Sequence, residues 1–145
     1  MATRILAVCL AVLFASEAAA AEVEFKMDDK GAQAAVAKQF AEQISESRAA
    51  GATETIMTAR VDLDDDGTAD MLGKVSSGYV CIGASGCPIG VFKGATDGTF
   101  QYLTSVYADV LEVLDSKSKG MRDLNLGSLG GMQRVGWNGS EYVPK

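Results

Sequence analysis

Beyond Gly51 the chain consists of short segments rich in Val, Ile, Thr, Tyr and Phe, separated by Gly, Asp and Asn. This pattern is typical of antiparallel strands joined by tight turns. It predicts strands at residues 55–61, 69–75, 79–82, 89–92, 100–107, 110–114, 132–137 and 141–143. The pairs Asp97-Gly98 and Asn138-Gly139 tolerate positive φ and predict two hairpin turns. Residues 117–131 contain four glycines and predict a loop with one short strand at most.

One amphipathic helix is predicted before these strands, at residues 31–50. Its apolar positions Val36, Phe40 and Ile44 recur every four residues. Asp28 or Asp29 can accept hydrogen bonds from its first amides, and Gly51 can adopt the left-handed conformation that ends it. The expected fold is therefore α+β, with this helix packed on an antiparallel sheet of about six to eight short strands.

The first residues have the three zones of a secretory signal peptide. Arg4 is followed by an uncharged apolar run at residues 5–15 and by small residues at positions 18–21. The run is too short to cross a bilayer, which takes roughly 20 residues. Cys9 lies inside it rather than at the cleavage point, which argues against lipidation. We expect residues 1–20 to be removed, and residues 21–145 to form one domain that works in the periplasm or outside the cell.

Composition limits the chemistry of this domain. The formal net charge is −6, and it does not change on cleavage because Arg4 and Glu17 are lost together. An acidic surface opposes binding to nucleic acid and to anionic lipid. The chain contains no histidine, so Ser-His-Asp and Cys-His nucleophile systems and histidine-containing zinc sites are excluded.

Two cysteines, Cys81 and Cys87, remain after the predicted cleavage. Five residues separate them, which is too wide for a C-x-x-C redox centre, and no second pair of ligands is present for zinc. An even pair of cysteines in an oxidising compartment predicts a structural disulfide.

An acidic loop at residues 62–70 gives the clearest functional signal. Asp62, Asp64, Asp66 and Asp70 occupy positions 1, 3, 5 and 9 around Gly67, a spacing that places oxygen ligands around calcium. The backbone carbonyl of Thr68 would be a further ligand. An EF-hand needs glutamate at position 12, where this chain has a glycine, so we expect a weak site of about 10⁻⁴ to 10⁻³ M. The alternative is a solvated acidic turn without metal.

The loop resembles the strand-loop-strand calcium loops of integrin-type, FG-GAP-like repeats, with Met71 and Leu72 as the aliphatic residues that follow. One copy is present, so the resemblance covers the loop and not a propeller.

A second resemblance covers more of the chain. In its acidic loop, its C-x5-C hairpin, its segment at residues 120–124 and its closing segment at residues 137–142, the chain resembles a loose group of small exported bacterial proteins. That resemblance implies export, a compact antiparallel sheet and a disulfide, and it implies no activity.

Two classes of function remain open at this point. The first is a non-enzymatic exported domain that is stabilised by calcium and a disulfide and binds an envelope protein or a glycan. The second is a small hydrolase that uses carboxylates or a metal, because paired acids can act as acid and base. Glu112, Asp115 and Asp123 are the candidate acids outside the loop, and their spacing is not diagnostic.

We predict that the mature chain begins at Ala21 or Glu22, because residues 18–21 offer two overlapping small-x-small sites. Intact-mass measurement of exported protein would show one of these two ends. A mass that retains residues 1–20, or that includes a lipid, would contradict the cleavage.

Overall fold

The computed structural model describes residues 19–145, so the predicted signal peptide lies outside the described residues except for its last two positions. The described part has an α+β fold with two helices and nine strands, and every strand pairing in it is antiparallel. The elements are β1 (Ala20–Glu22), α1 (Lys30–Gln39), α2 (Ala41–Ala49), β2 (Thr55–Val61), β3 (Asp70–Ser76), β4 (Cys87–Gly94), β5 (Phe100–Ala108), β6 (Val110–Ser118), β7 (Met121–Ser128), β8 (Gly131–Trp137) and β9 (Tyr142–Pro144).

The strands form two sheets rather than the single sheet predicted. A four-stranded sheet has the order β2-β3-β4-β5, and a five-stranded sheet has the order β1-β6-β7-β8-β9. Only Asp109 separates β5 from β6, so the chain passes directly from one sheet into the other. The four-stranded sheet is the middle layer of three, with the helices on one face and the five-stranded sheet on the other.

Each face of the middle sheet contributes to a separate apolar cluster. Between the sheets, Leu72 and Val91 pack in one cluster with Leu111 and Leu124 of the five-stranded sheet. On the opposite face, a second cluster joins the helices to the middle sheet; it contains Ala32, Val36, Phe40, Ile44, Met71, Val75, Val80 and Phe92. The central strands β3 and β4 are therefore buried on both faces, which explains their nearly continuous apolar sequences.

The prediction of one continuous helix is wrong, because the backbone departs from helical geometry at Phe40 (φ −101°, ψ 24°). In a straight helix, side chains at every fourth position rotate about 40° around the axis from one to the next, so they do not stay on one face. A break near the middle lets Val36, Phe40 and Ile44 all face the sheet, and all three are buried. The predicted ends are confirmed: Asp29 accepts a hydrogen bond from the Ala32 amide (2.9 Å), and Gly51 has φ 78°.

The strand predictions fail at two places. Residues 79–82 form a turn that leads into the disulfide loop and not a strand. Residues 117–131 are not a loop: they include the end of β6, a tight turn with positive φ at Lys119 and Gly120, and the whole of β7. Strand β1 was not predicted; it pairs with β6 at the edge of the five-stranded sheet.

No helix in residues 19–145 is both long enough and apolar enough to cross a membrane.

Two facing glycines allow the helices to approach the middle sheet. Gly73 of β3 pairs with Gly90 of β4. A Cβ atom on Gly73 would lie 2.2 Å from Val36 Cγ2, and one on Gly90 would lie 3.0 Å from Phe40 Cε2. Because β-branched Val36 has little rotameric freedom in a helix, it cannot move aside without moving α1. The glycine pair is thus a shallow groove that receives the helices.

We predict that Gly73→Ala destabilises the fold by about 1–3 kcal/mol, the usual cost of overpacking a close contact. Urea unfolding would measure the change. The matched control is Gly78→Ala, where no atom lies within 4 Å of the new Cβ, and we expect that change to be neutral or to stabilise by up to about 1 kcal/mol. Equal effects of the two substitutions would contradict the role of Gly73 in helix docking.

Candidate metal site

The acidic loop is the connection of a β-hairpin. Strand β2 ends at Val61 and β3 begins at Asp70, and these two residues are the last pair of the ladder. The predicted strand-loop-strand arrangement is therefore present. The glycine at position 12 of the motif is Gly73, which lies within β3 and packs on Val36. The loop is not an EF-hand, since strands flank it and position 12 lies in the groove that receives α1.

Asp70 is the buried side chain around which the loop is organised. Its carboxylate is 1% exposed and accepts hydrogen bonds from the Leu63 amide at Oδ2 and from the Gly94 amide at Oδ1, both at 2.9 Å. Burial raises the pKa of the Asp70 carboxyl, and this effect outweighs the two amides, which lower it. Asp70 thus joins the loop, β3 and the end of β4 through one carboxylate.

Hydrogen bonds inside the loop give it a tight turn. The Gly67 amide donates to Asp62 Oδ2 (2.8 Å), and the Thr68 amide donates to Asp66 Oδ1 (2.8 Å). Gly67 has φ 84°, a left-handed conformation that glycine adopts without strain. The glycine predicted to provide the sharp turn does so.

Three of the five predicted ligands come together. One carboxylate oxygen from each of Asp62, Asp64 and Asp70 lies within 4.8 Å of the others. Asp62 Oδ1 is buried and has no hydrogen-bond partner among residues 19–145. A buried carboxylate oxygen without a partner is costly, and a bound cation would satisfy it. These three carboxylates could hold a metal ion; Asp66 and the Thr68 carbonyl remain predicted additions to the set.

A lysine from the neighbouring strand reaches the same carboxylates. Lys93 of β4 donates from Nζ to Asp64 Oδ2 and to Asp66 Oδ2 (2.5 Å), and Nζ lies 3.8 Å from Asp70 Oδ1. Burial lowers the pKa of Lys93, but the hydrogen bonds to Asp64 and Asp66 outweigh burial and raise it. The Lys93 amine therefore stays in its charged ammonium form beside the acidic loop.

The outer side of the loop is attached to the five-stranded sheet. Leu63 is fully buried between the sheets, and its carbonyl accepts a hydrogen bond from the Arg122 amide (2.7 Å). Asp65, with φ 59°, pairs with Lys117 and with the Arg122 guanidinium (2.9 Å). These pairs lower the pKa of Asp65. The loop is thus a link between the two sheets as well as a hairpin turn.

The predicted disulfide between Cys81 and Cys87 is present. It closes the loop that follows β3 and precedes β4, and a short 3₁₀ turn at Gly83–Ser85 lies inside it. Ile82 and Gly86 form an isolated antiparallel bridge within the ring. The disulfide therefore links the loop after β3 covalently to the buried first residue of β4.

The three acids considered for a hydrolase have separate partners. Glu112 accepts a hydrogen bond from the Asn125 amide group (2.9 Å), and Asp115 pairs with Arg122 (3.2 Å). Asp123 is fully buried under a different set of groups. None of the three belongs to the carboxylate group formed by the acidic loop. The arrangement provides no observation that favours acid–base catalysis by these residues.

Asp123 is a buried carboxylate that accepts hydrogen bonds from several parts of the five-stranded sheet. Its carboxylate accepts hydrogen bonds from Ser118 Oγ (2.6 Å), Ser116 Oγ (2.8 Å), Lys145 Nζ (2.9 Å) and the Arg134 guanidinium (3.1 Å). Burial raises the pKa of Asp123, but these four donors outweigh it and hold the pKa well below its usual range. The carboxylate therefore joins β6, β7, β8 and the segment after β9.

Lys93 and Asp65 were missed by reasoning from the sequence. Lys93 is the one charged residue in the segment 87–94, and its relation to the loop depends on the pairing of Met71 with Phe92, which places Lys93 next to Asp70. Asp65 is at position 4 of the calcium motif, and the motif does not predict a calcium ligand at that position. Its partners Lys117 and Arg122 lie more than fifty residues away in the chain.

Comparison with known protein families, with curated proteins and with solved structures gave no significant match.

We predict that Asp123→Asn lowers stability by about 2–3 kcal/mol at pH 7. Removing one partner of a buried ion pair usually costs about 3–5 kcal/mol, and we expect less here because the Arg134 and Lys145 side chains are 45% and 40% exposed. Since the folded-state pKa of Asp123 lies below the unfolded value of about 3.9, its stabilisation is present above that pH and is lost as the pH falls further.

Chemical denaturation between pH 7 and pH 2 would test this, because the difference in stability between the wild type and Asp123→Asn should shrink as the pH falls below about 3.9. Glu141→Gln removes an exposed carboxylate without an ionic partner among residues 19–145 and should follow the wild type. A constant difference between wild type and Asp123→Asn across the range would contradict the assignment.

Proposed function

We propose that this protein is an exported domain that binds one calcium ion in its acidic loop, and that the ion stabilises the fold rather than catalysing a reaction. The observation that carries this is the convergence of Asp62, Asp64 and Asp70 within 4.8 Å. The buried, unpartnered Asp62 Oδ1 supports it, since this oxygen gains a partner when a cation binds.

Calcium suits this site better than magnesium. Calcium accepts six to eight oxygen ligands in flexible geometry, whereas magnesium demands near-octahedral geometry and keeps several waters. Asp66 and the Thr68 carbonyl would join the three converging carboxylates, and water would complete the shell. A bending loop of this kind, which offers three converging carboxylates and would add Asp66 and the Thr68 carbonyl, suits the flexible coordination of calcium.

The ion would act on stability through the contacts of the loop with the rest of the molecule. Asp70 connects the loop to Leu63 and Gly94, and Leu63 is inserted between the sheets. Neutralising the clustered aspartates removes repulsion that opposes this arrangement. Binding of calcium to the folded form alone would then stabilise the whole domain by mass action.

We propose that the domain works in the periplasm or outside the cell. The Cys81–Cys87 disulfide supports an oxidising compartment, and the signal peptide predicted at residues 1–20 would direct it there. We propose as partner an envelope protein or a glycan; the net charge of −6 disfavours nucleic acid and anionic lipid.

The calcium site has a direct thermal test. Calcium at 100 times its dissociation constant should stabilise the chelator-treated protein by roughly 2.7 kcal/mol, which raises the melting temperature by several degrees. Magnesium at the same concentration should do less. Asp64→Ala and Asp62→Asn should each abolish most of the rise, because each removes a converging carboxylate.

Asp97→Asn is the matched control, since Asp97 accepts hydrogen bonds only within the turn between β4 and β5. It should leave the calcium-dependent rise intact. A melting curve of the wild type that does not change with calcium up to about 100 mM, which is 100 times the weakest expected dissociation constant, would reject the proposed site.

A further inference from the structure

We infer that Lys93 is a built-in competitor of the metal, so that the acidic loop alternates between a state neutralised by the Lys93 ammonium and a state neutralised by a divalent cation. This inference rests on the proposed calcium site and concerns how that site is regulated.

The two cations would compete for the same carboxylates. Lys93 Nζ contacts Asp64 and Asp66 and lies 3.8 Å from Asp70 Oδ1. Asp64 and Asp70 also belong to the three carboxylates that converge within 4.8 Å. A divalent ion bound to those carboxylates would lie within a few ångströms of the ammonium group, where two positive charges repel each other strongly. Simultaneous occupancy is therefore unfavourable.

Lys93 neutralises only part of the negative charge of the acidic loop. A divalent cation would neutralise more of it, which favours displacement of the lysine by a metal ion. The loop carries four aspartates at the motif positions, whereas the Lys93 ammonium group hydrogen-bonds Asp64 and Asp66 and makes no hydrogen bond to Asp62. Asp62 Oδ1 remains buried without a partner in the described part of the chain. The Gly67 amide satisfies the other oxygen of Asp62, so Oδ1 is the carboxylate oxygen of this group that a divalent cation would satisfy and Lys93 does not.

Lys93 is placed so that it can leave without disturbing the fold. Its side chain is 30% exposed, and its four-carbon stem allows the ammonium group to turn into solvent. The main-chain tie between β4 and the loop does not depend on the ammonium group, since Gly94 donates its amide to Asp70 directly. Release of Lys93 would free a positive charge at the surface whenever calcium is bound.

The test compares calcium affinity, measured by calorimetry at low ionic strength, in three variants and the wild type. Lys93→Met keeps the stem and removes the charge, so calcium should bind about tenfold more tightly or better. Lys93→Arg keeps the charge and should bind within about threefold of the wild type. Lys38→Met removes the same charge from an exposed position on α1 and should not change the affinity.

The outcomes separate the competition from the calcium site itself. If the wild type binds calcium and Lys93→Met binds it no more tightly, the competition is overturned and the calcium site is retained. Binding by Lys93→Met alone would reject calcium binding by the natural protein and support the competition. Absence of binding in every protein would reject both.

A second measurement uses the unaltered chain, in case Lys93→Met does not fold. Reductive methylation followed by peptide mass analysis reports the accessibility of each lysine. Saturating calcium should increase the labelling rate of Lys93 severalfold, because the freed amine is no longer held by carboxylates, while Lys38 should label at the same rate with and without calcium. Unchanged or slower labelling of Lys93 in calcium would overturn the competition.

Discussion

The buried carboxylate of Asp70 is the interaction on which the acidic loop and the central strands depend. A carboxylate that is 1% exposed must have its oxygens satisfied, and here two main-chain amides do this, from Leu63 and Gly94. One amide belongs to the loop and the other to the end of β4. The position of Asp70 at the start of β3 therefore determines how the loop folds back and where β4 ends.

The loop has an unusual relation to the core for a hairpin connection. Leu63 packs in the cluster between the sheets, and Asp65 pairs with Lys117 and Arg122 of the five-stranded sheet. A loop with four clustered aspartates would repel itself if it stood free in solvent. Its attachment at both Leu63 and Asp65 keeps these charges together, so the acidic surface is a property of the packed fold and not of a mobile turn.

Much of the local structure could be predicted from the sequence. Strand β2 has the predicted bounds, and the turns at Asp97-Gly98 and Asn138-Gly139 occur where glycine takes positive φ. Strand β7 was missed because the four glycines of residues 117–131 predicted a loop, and because its charged Asp123, which is fully buried, does not look like a core residue. Its burial depends on donors from β6, β8 and the end of the chain, which no local pattern indicates.

The sequence by itself determined the features that arise within a few residues. These are the spacing of the aspartates, the turn at Gly67 and the apolar face that α1 and α2 turn toward the middle sheet. Only the tertiary structure decided the division into two sheets and the position of Lys93 among the aspartates. The reason is that strand pairing is non-local, and the register of β3 against β4 brings Lys93 beside Asp70 across 23 positions of the chain. Charges brought together by such pairing interact through space, and their interaction depends on distances that sequence order does not contain.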